Sequence, residues 1–293
     1  MSAPVPTPFD TPSATPFVSS AALGRALREG RAPVLLDVRH TPRRGADRDA
    51  YARGHLPGAV FVDLPAELAS PGGGPGGRLP LPEPGALQAA ARRWGVGAGS
   101  DVVVYDERSG LSAARAWWLL RWAGHARVRI LDGGLAAWRA AGGELTADEP
   151  VVTPGDLVVE PGRLPVVDID EAAERALRGL LFDARRAEDH RGGHIPGAHS
   201  TPAGRNLTPE GTLLPADELR SRYADAERAS SGGPLAVHCG SGVSATFQIA
   251  VLASLGIDAA LFPGSWSAWS ADPDRPVATD AGDAADAEAG GTP

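Results

Sequence analysis

Residues 235–256 read LAVHCGSGVSATFQIAVLASLG: an apolar, strand-like run, then a loop of small residues, then an amphipathic helix pattern. The single cysteine of the chain, Cys239, stands where the run meets the loop. A thiol there lies at the end of a strand and faces the first N–H groups of a helix, which stabilise an anion. The segment therefore predicts a cysteine nucleophile. The alternative is an inert core thiol; we favour the nucleophile because Gly240, Ser241 and Gly242 would leave the sulfur unshielded.

Composition limits the classes of function. The 293 residues suffice for about two domains. The net charge of −8, with arginine as the only basic residue besides histidine, argues against a general nucleic-acid binder. The sequence has no apolar run of membrane-spanning length and no signal-peptide pattern, and one cysteine excludes an intrachain disulfide. We therefore expect a cytoplasmic protein with a reduced thiol, without membrane or nucleic-acid partners.

The chain contains one pattern twice, in the same order. The first copy has LLDVR at 35–39, GHLPGA at 54–59, VVVYDERSGLSAA at 102–114 and LDGGLAAW at 131–138. The second copy has LFDAR at 181–185, GHIPGA at 193–198, LAVHCGSGVSA at 235–245 and FPGSWSAW at 262–269. Four ordered matches indicate an internal duplication of a domain.

Strand and helix patterns alternate within each copy. In the first copy, APVLLDV, DVVVYD and RVRILDG predict strands, and SAALGRALREG, EPGALQAAARRWG and LSAARAWWLLRWAG predict helices. Such alternation predicts an α/β fold of two domains, each a mostly parallel sheet flanked by helices, with sites at the carboxyl ends of strands. The predicted organisation is a disordered tail at 1–18, a domain at 19–144, a linker at 145–162, a second domain at 163–271 and a disordered acidic tail at 272–293.

These motifs together resemble the tandem-domain rhodanese family, the thiosulfate and 3-mercaptopyruvate sulfurtransferases, over about residues 19–271. The resemblance implies two rhodanese-like domains and a Cys239 thiolate that takes a sulfane sulfur as a persulfide. A thiol, thioredoxin or cyanide would then accept that sulfur. The first copy has Asp106 in place of Cys239, and a carboxylate does not carry sulfane sulfur, so the resemblance implies that the first domain is inactive.

The loop after Cys239 should hold the persulfide. Backbone N–H groups of residues 240–245 would form an anion-binding nest, with positive φ at the loop glycines. The active-site loop residues are accordingly Gly240, Gly242, Val243 and Ser244.

The loop composition also bears on the sulfur donor. In the family, Cys-Gly-Ser-Gly loops resemble the mercaptopyruvate enzymes, whereas basic loops go with thiosulfate. The resemblance implies that Ser241 relays a proton, together with a first-domain histidine that matches His55. A structural role for His55 in a tight turn is the alternative, and we favour it because His194 repeats the residue in the second copy.

One position departs from the family pattern. Relatives usually place an Arg six residues after the Asp of the second D-x-R, to hold the carboxylate or sulfonate of the donor, and this chain has Asp189 there. An Asp repels an anionic donor. Three nearby arginines are candidates to replace the missing one, and the second-copy tryptophan motif is expected to shape the cleft; the predicted substrate-binding residues are Arg185, Arg186, Arg191 and Trp266.

Other readings remain open. A Cys-dependent phosphatase is disfavoured because Ala245 stands where its loop needs an Arg. A non-catalytic binding or redox-sensing protein, with reversible oxidation of Cys239, is the more serious alternative and is motivated by Asp189. We expect no cofactor and no metal site, since one cysteine and scattered histidines lack ligand spacing.

Overall fold

The computed structural model describes residues 15–41, 45–230 and 233–280. The chain divides into two compact units. Unit 1 is formed by the chain up to Ser70, by Leu81–Leu164 and by Leu207–Leu214, and unit 2 by Pro71–Pro80, by Pro165–Asn206 and by the chain from Pro215 onward. Each unit thus includes a short stretch from the opposite half of the sequence, here called the 71–80 segment and the 207–214 segment.

Unit 1 is built around a five-stranded sheet in the order β1-β7-β6-β2-β5. Its strands are β1 (Phe17–Val18), β2 (Val34–Asp37), the short antiparallel pair β3 (His40–Thr41) and β4 (Gly45–Ala46), β5 (Val60–Phe61), β6 (Val102–Tyr105) and β7 (Val128–Leu131). Its helices are α1 (Ser20–Arg28), α2 (Arg48–Arg53), α3 (Leu64–Glu67), α4 (Pro84–Arg93), α5 (Ala113–Trp122) and α6 (Gly134–Ala140). All pairings within the five-stranded sheet are parallel.

Unit 2 is built around a four-stranded parallel sheet in the order β11-β10-β8-β9. Its strands are β8 (Leu181–Asp183), β9 (His199–Ser200), β10 (Leu235–His238) and β11 (Ala259–Leu261). Its helices are α7 (Ile169–Leu177), α8 (Ala187–Arg191), α9 (Ala216–Ser230), α10 (Ser244–Ser254) and α11 (Ser265–Trp269). None of the helices within the described ranges is long and apolar enough to cross a lipid bilayer.

The predicted α/β fold of two parallel-sheet domains is confirmed. Every residue of the central strands β6 and β10 is buried, because helices cover both faces of a parallel sheet. Gly30, Gly95 and Gly124, which follow α1, α4 and α5, adopt φ of 71°, 84° and 94°, a left-handed conformation that glycine accepts without strain.

The structure differs from the predicted tails at their inner ends. Phe17 and Val18 form β1 and pair with β7, and Val18 is 4% exposed in the core of unit 1. The Pro-rich composition of the first residues concealed this apolar pair. At the other end, Ala278 pairs with His194, and the Trp269 indole N–H donates to the Pro276 carbonyl at 2.9 Å. Residues 1–14 and 281–293 of the predicted tails lie outside the described residues.

The stretch 145–162, predicted to be a linker, runs along unit 1. Thr146 pairs with His55, the Gly155 N–H donates to the Arg92 carbonyl at 2.8 Å, and the Glu160 N–H donates to the Ala123 carbonyl at 2.9 Å. These hydrogen bonds pair backbone N–H and carbonyl groups of a stretch that forms no helix or strand.

Candidate active site

Cys239 directly follows β10 and lies just before the first residue of α10, Ser244. The preceding residue, His238, pairs in register with Asp183 at the end of β8. Cys239 is therefore at the carboxyl edge of the unit 2 sheet and on the N-terminal side of an eleven-residue helix, as the sequence predicted.

The loop of residues 239–243 is fixed to the start of α11. The Cys239 N–H donates to the Ser265 hydroxyl at 3.1 Å, and that hydroxyl donates to the Phe262 carbonyl at 2.9 Å. The Cys239 and Gly240 carbonyls accept hydrogen bonds from the N–H groups of Trp266 and Ser267 at 2.9 and 3.0 Å. Cys239 is thus held by hydrogen bonds at its own backbone N–H and carbonyl groups.

The side chain of Cys239 is less open than the sequence suggested. Cys239 is a free cysteine and only 2% exposed, so the flanking glycines do not leave the sulfur unshielded. The prediction was wrong on this point because loop composition does not reveal what packs over the loop.

The two loop glycines have different roles. Gly242 adopts φ of 76°, as predicted for a curled anion-binding loop. Gly240 is not among the described glycines of positive φ, so that part of the prediction was wrong. A Cβ atom at Gly240 would instead lie 3.2 Å from Nη2 of Arg78, which shows that this glycine leaves room for a neighbouring guanidinium.

A buried charged layer lies beside Cys239. Arg185 donates through Nε to both carboxylate oxygens of Asp183, at 3.0 and 2.9 Å, and through Nη2 to the Gly193 carbonyl at 2.8 Å. Burial would raise the pKa of Asp183, but the charges of His238 and Arg185 and the hydrogen bonds from Arg185 lower it to about 2. Burial lowers the pKa of His238 to about 4 against the attraction of Asp183. His238 is therefore neutral at pH 7, and Arg185 is the cation that stabilises Asp183.

The predicted substrate-binding arginines are placed differently from one another. Arg185 is 9% exposed, committed to Asp183, with its guanidinium 4.5 Å from the centre of the Trp266 ring. Arg186 is exposed and binds Asp189 with two hydrogen bonds, at 2.9 and 3.0 Å, and also pairs with Glu188. Thus the negative charge of Asp189 is balanced locally, and the two arginines already have carboxylate partners.

The remaining predicted site residues of unit 2 lie in the loop after Cys239, at the start of α10 and at the end of α8. Ser241, Val243 and Ser244 are half-buried, and the Ser241 hydroxyl makes no hydrogen bond with any residue described. Arg191 ends α8 and is exposed. Ala245 is fully buried at the start of α10, so the position that a phosphatase loop reserves for Arg has no polar group.

His55 lies in unit 1 and is fully buried. Its ring stacks on Tyr51 at 3.8 Å, Nδ1 lies 3.0 Å from the Tyr51 carbonyl and Nε2 lies 3.2 Å from the Asp148 carbonyl. His194 repeats the arrangement in unit 2, stacking on His190 at 3.9 Å with Nδ1 3.0 Å from its carbonyl. The repetition is typical of a structural element of each copy.

The same stack accounts for a cluster of possible metal ligands. His190, His194 and Asp280 offer ligand atoms within 4.8 Å of one another. However, Nδ1 of His190 lies 3.0 Å from a carboxylate oxygen of Asp183, and Nδ1 of His194 lies near a backbone carbonyl. Because unit 1 stacks Tyr51 and His55 in the same way, the cluster is explained without a metal ion.

The loop after β6 in unit 1 shows what this type of loop binds. The Asp106 carboxylate accepts hydrogen bonds from five backbone N–H groups at 2.8 to 3.4 Å; the donors are Arg108, Ser109, Gly110, Ser112 and Ala113. The Asp106 and Glu107 carbonyls accept from the N–H groups of Leu135 and Ala136, as the Cys239 and Gly240 carbonyls do from Trp266 and Ser267. The loop is therefore an anion nest, and in unit 1 its own aspartate fills it.

Sequence reasoning missed two residues of the site. Arg78 lies more than 150 residues before Cys239 in a glycine-rich stretch that carries no helix or strand pattern. Ser265 is a buried non-glycine residue with φ of 53°. The repeat alone held a signal for Ser265, since its counterpart in LDGGLAAW is Gly134, with φ of 55°.

Comparisons with known proteins agree with the duplicated pattern. A rhodanese-like domain model matches residues 20–141 and again 168–272. The chain is 43% identical over 273 residues to a putative thiosulfate sulfurtransferase, SseB, of Mycobacterium tuberculosis, covering 89% of this chain and 96% of the relative. It is 42% identical to a probable 3-mercaptopyruvate sulfurtransferase of Pseudomonas aeruginosa, covering 84% and 92%. The crystal structure of the 3-mercaptopyruvate sulfotransferase SseA from Escherichia coli matches with a TM-score of 0.74 at 32% identity, covering 86% and 99%.

Proposed function

Because the chain belongs to the rhodanese family of sulfurtransferases, we propose that it moves a sulfane sulfur from thiosulfate or 3-mercaptopyruvate to a thiol or cyanide through a persulfide on Cys239. The observation that carries this proposal is the pair of loops. The unit 1 loop binds a carboxylate with five backbone N–H groups. The unit 2 loop repeats its glycine conformation and carbonyl anchors, with Cys239 in place of Asp106.

The chemistry is a double displacement. The Cys239 thiolate attacks the outer sulfur of thiosulfate, the S–S bond breaks, and sulfite leaves with the electron pair. With 3-mercaptopyruvate the C–S bond breaks, and the carbon keeps the electron pair as the enolate of pyruvate, which takes up a proton. Cyanide then attacks the outer persulfide sulfur and leaves as thiocyanate, which regenerates the thiolate.

The loop supports the persulfide intermediate electrostatically. Its charge would lie before α10, whose first turn stabilises an anion, as the first turn of α5 does for Asp106. Residues 240–245, including Val243 and Ser244, would supply the N–H groups.

For the donor, the proposal favours 3-mercaptopyruvate because Gly240 and Ser241 place no basic side chain in the loop. The names of the two relatives divide between the two donors at almost equal identity. A comparison of kcat/KM for the two donors would decide this preference. We further propose that Ser241, whose hydroxyl has no partner among the residues described, donates a hydrogen bond to the donor, and that His55 acts structurally in unit 1.

The proposal also covers the sulfur acceptor and the cellular location of the protein. A small thiol, thioredoxin or cyanide needs only an accessible persulfide. A cytoplasmic location suits the enzyme because reducing conditions keep its free thiol available.

The direct test is formation of thiocyanate from cyanide with each donor, together with mass spectrometry of the Cys239 persulfide. We expect transfer from at least one donor, and its loss in Cys239→Ser, since the hydroxyl holds no sulfane sulfur. Ser254→Ala, at the far end of α10, is the control and should keep wild-type rates. Folded, reduced protein that forms no persulfide with either donor would contradict the proposal.

A further inference from the structure

We propose that Arg78, contributed by the 71–80 segment, binds the anionic group of the sulfur donor beside Cys239. This inference rests on the sulfur-transfer function proposed above and identifies the residue that recognises the carboxylate or sulfonate of the donor. Arg78 takes the role for which Arg185, Arg186 and Arg191 were considered from the sequence.

The backbone of the 71–80 segment is fixed on α11. The Arg78 N–H donates to the Ser267 hydroxyl at 3.0 Å, and the Ser267 N–H in turn donates to the Gly240 carbonyl at 3.0 Å. Gly77 adopts φ of 77°, and a Cβ there would lie 2.5 Å from the Gly264 carbonyl oxygen. The segment therefore approaches α11 at backbone distance, and one serine connects Arg78 to the loop of the nucleophile.

The guanidinium of Arg78 reaches the loop itself. A Cβ at Gly240 would lie 3.2 Å from Nη2 of Arg78, closer than most side-chain contacts. The residue next to the nucleophile is thus a glycine at a position where its conformation does not require one, since its φ is not positive. The space freed by the missing side chain is the space that the guanidinium uses.

The charge of Arg78 is available for a ligand. Within the described ranges no carboxylate forms an ion pair with Arg78, although the chain pairs many of its other arginines, including Arg185 with Asp183 and Arg186 with Asp189. An unpaired guanidinium beside an anion-binding loop matches a donor with a planar carboxylate, which arginine binds with two parallel hydrogen bonds.

The internal repeat supports the assignment. The 207–214 segment is the matching stretch in unit 1, where Gly211 has φ of 91° and a Cβ at Gly133, the counterpart of Gly264, would lie 2.8 Å from Cγ2 of Thr212. Gly77 approaches Gly264 in unit 2 as Thr212 approaches Gly133 in unit 1. The 207–214 segment beside the filled nest contains no arginine, whereas the 71–80 segment beside the loop of Cys239 contributes Arg78.

The test is initial-rate kinetics of Arg78→Gln with thiosulfate and with 3-mercaptopyruvate. We expect kcat/KM to fall about tenfold to a hundredfold for both donors, which is the loss of a charge-assisted hydrogen bond. The loss should lie mainly in KM, with kcat changed by no more than a few-fold. Arg78→Lys should lie between wild type and Arg78→Gln, because it keeps the charge without the paired geometry.

Two further measurements separate binding from structure. Arg163→Gln removes an exposed arginine of unit 1 that pairs with Glu160, and should leave the kinetics unchanged. Mercaptoacetone, the uncharged analogue of 3-mercaptopyruvate, gives up its sulfur by the same C–S cleavage with the enolate of acetone as leaving group, and it should load the Cys239 persulfide equally well in wild type and in Arg78→Gln. Calorimetry of thiosulfate binding to Cys239→Ser, with and without Arg78→Gln, should show about tenfold weaker binding in the double variant.

The outcomes are distinct. Unchanged KM for both anionic donors, or equal thiosulfate affinity of the two calorimetry proteins, would overturn the role of Arg78 and leave sulfur transfer standing. A loss of the same size with uncharged mercaptoacetone would also overturn it, since the effect would then be structural. If wild-type protein formed no persulfide from any donor, the proposed function would fail, and the calorimetry would still decide whether Arg78 binds the anion.

Discussion

The loops that follow β6 and β10 share their backbone conformation but differ in the side chain at their first position, which is Asp106 in unit 1 and Cys239 in unit 2. Gly110 and Gly242 adopt φ of 77° and 76°, and in each loop two carbonyls accept hydrogen bonds from backbone N–H groups, of α6 in unit 1 and of α11 in unit 2. In unit 1 the nest holds the carboxylate of Asp106, whereas in unit 2 the corresponding side chain is the thiol of Cys239. The difference teaches that the loop is a general anion holder. One residue decides whether the anion is a permanent part of the protein or arises during a reaction.

The layers beside the two loops differ as well. Unit 1 has Tyr51 and Tyr105 where unit 2 has His190 and His238. In unit 1, burial raises the pKa of Asp37 despite the opposing hydrogen bonds and charge of Arg39. In unit 2, the pKa of Asp183 is about 2. The ionised form of the D-x-R carboxylate is therefore favoured more strongly beside Cys239 than beside the filled nest.

Removing the internal anion should have the largest effect on stability. In Asp106→Ala, five backbone N–H groups lose their acceptor, and we expect the free energy of unfolding of unit 1 to fall by about 4 kcal/mol. Urea unfolding followed by the fluorescence of the buried tryptophans of α5 would measure the loss. Glu107→Gln, a neighbouring carboxylate that is 54% exposed, is the control and should change little. Equal stability of Asp106→Ala and wild type would show that the carboxylate is not what holds the loop.

The buried histidine His238 predicts that the stability of unit 2 depends on pH. The pKa of His238 is about 4 when folded against 6.5 for an unperturbed histidine. Between these values the unfolded chain binds more protons, so the stability present above pH 6.5 should decline as pH falls to 4, by on the order of 3 kcal/mol. His238→Gln should remove most of this slope, whereas the exposed His199→Gln should retain it. Asp183 and Arg185 face His238 in both proteins, so they do not account for the difference.

A smaller effect should separate the hydroxyl of Ser265 from its backbone conformation. Ser265→Ala keeps a Cβ at positive φ and loses the bond to the Cys239 N–H, whereas Ser265→Gly loses the bond but adopts the conformation of Gly134 without strain. We expect Ser265→Ala to be less stable than Ser265→Gly by about 1 kcal/mol in thermal unfolding. Sulfur transfer should decrease to a similar extent in both. A glycine variant no more stable than the alanine variant would show that Ser265 stores no strain.

Much of the fold and the centre of the site could be predicted from the sequence. Alternating β-rich and helical runs fixed two parallel sheets, because buried parallel strands leave continuous apolar runs such as VVVY at 102–105. The repeat then identified Cys239 by contrast with Asp106. Both inferences rest on signals that are local in sequence.

The parts that failed depend on contacts distant in sequence. The burial of Cys239, the conformation of Gly240 and the location of Arg78 follow from packing that no local pattern encodes. Likewise, the pairing of Phe17–Val18 with β7 joins strands separated by more than a hundred residues. The expectation that an arginine near Asp189 replaces the missing one stays a prediction built on sequence neighbours, and the structure adds a distant arginine, Arg78, beside the loop.

The exchange of the 71–80 and 207–214 segments has a consequence for the evolution of the chain. A gene fragment encoding only the second half would keep the nucleophile and its loop, yet lack residues that complete its unit. Because each unit contains a stretch from the opposite half of the chain, loss of either half would leave the other unit incomplete, even though only the second half bears the cysteine. The half without the cysteine thus supplies the 71–80 segment to the unit that bears it, and a duplicated chain with a single thiol needs both halves to complete that unit.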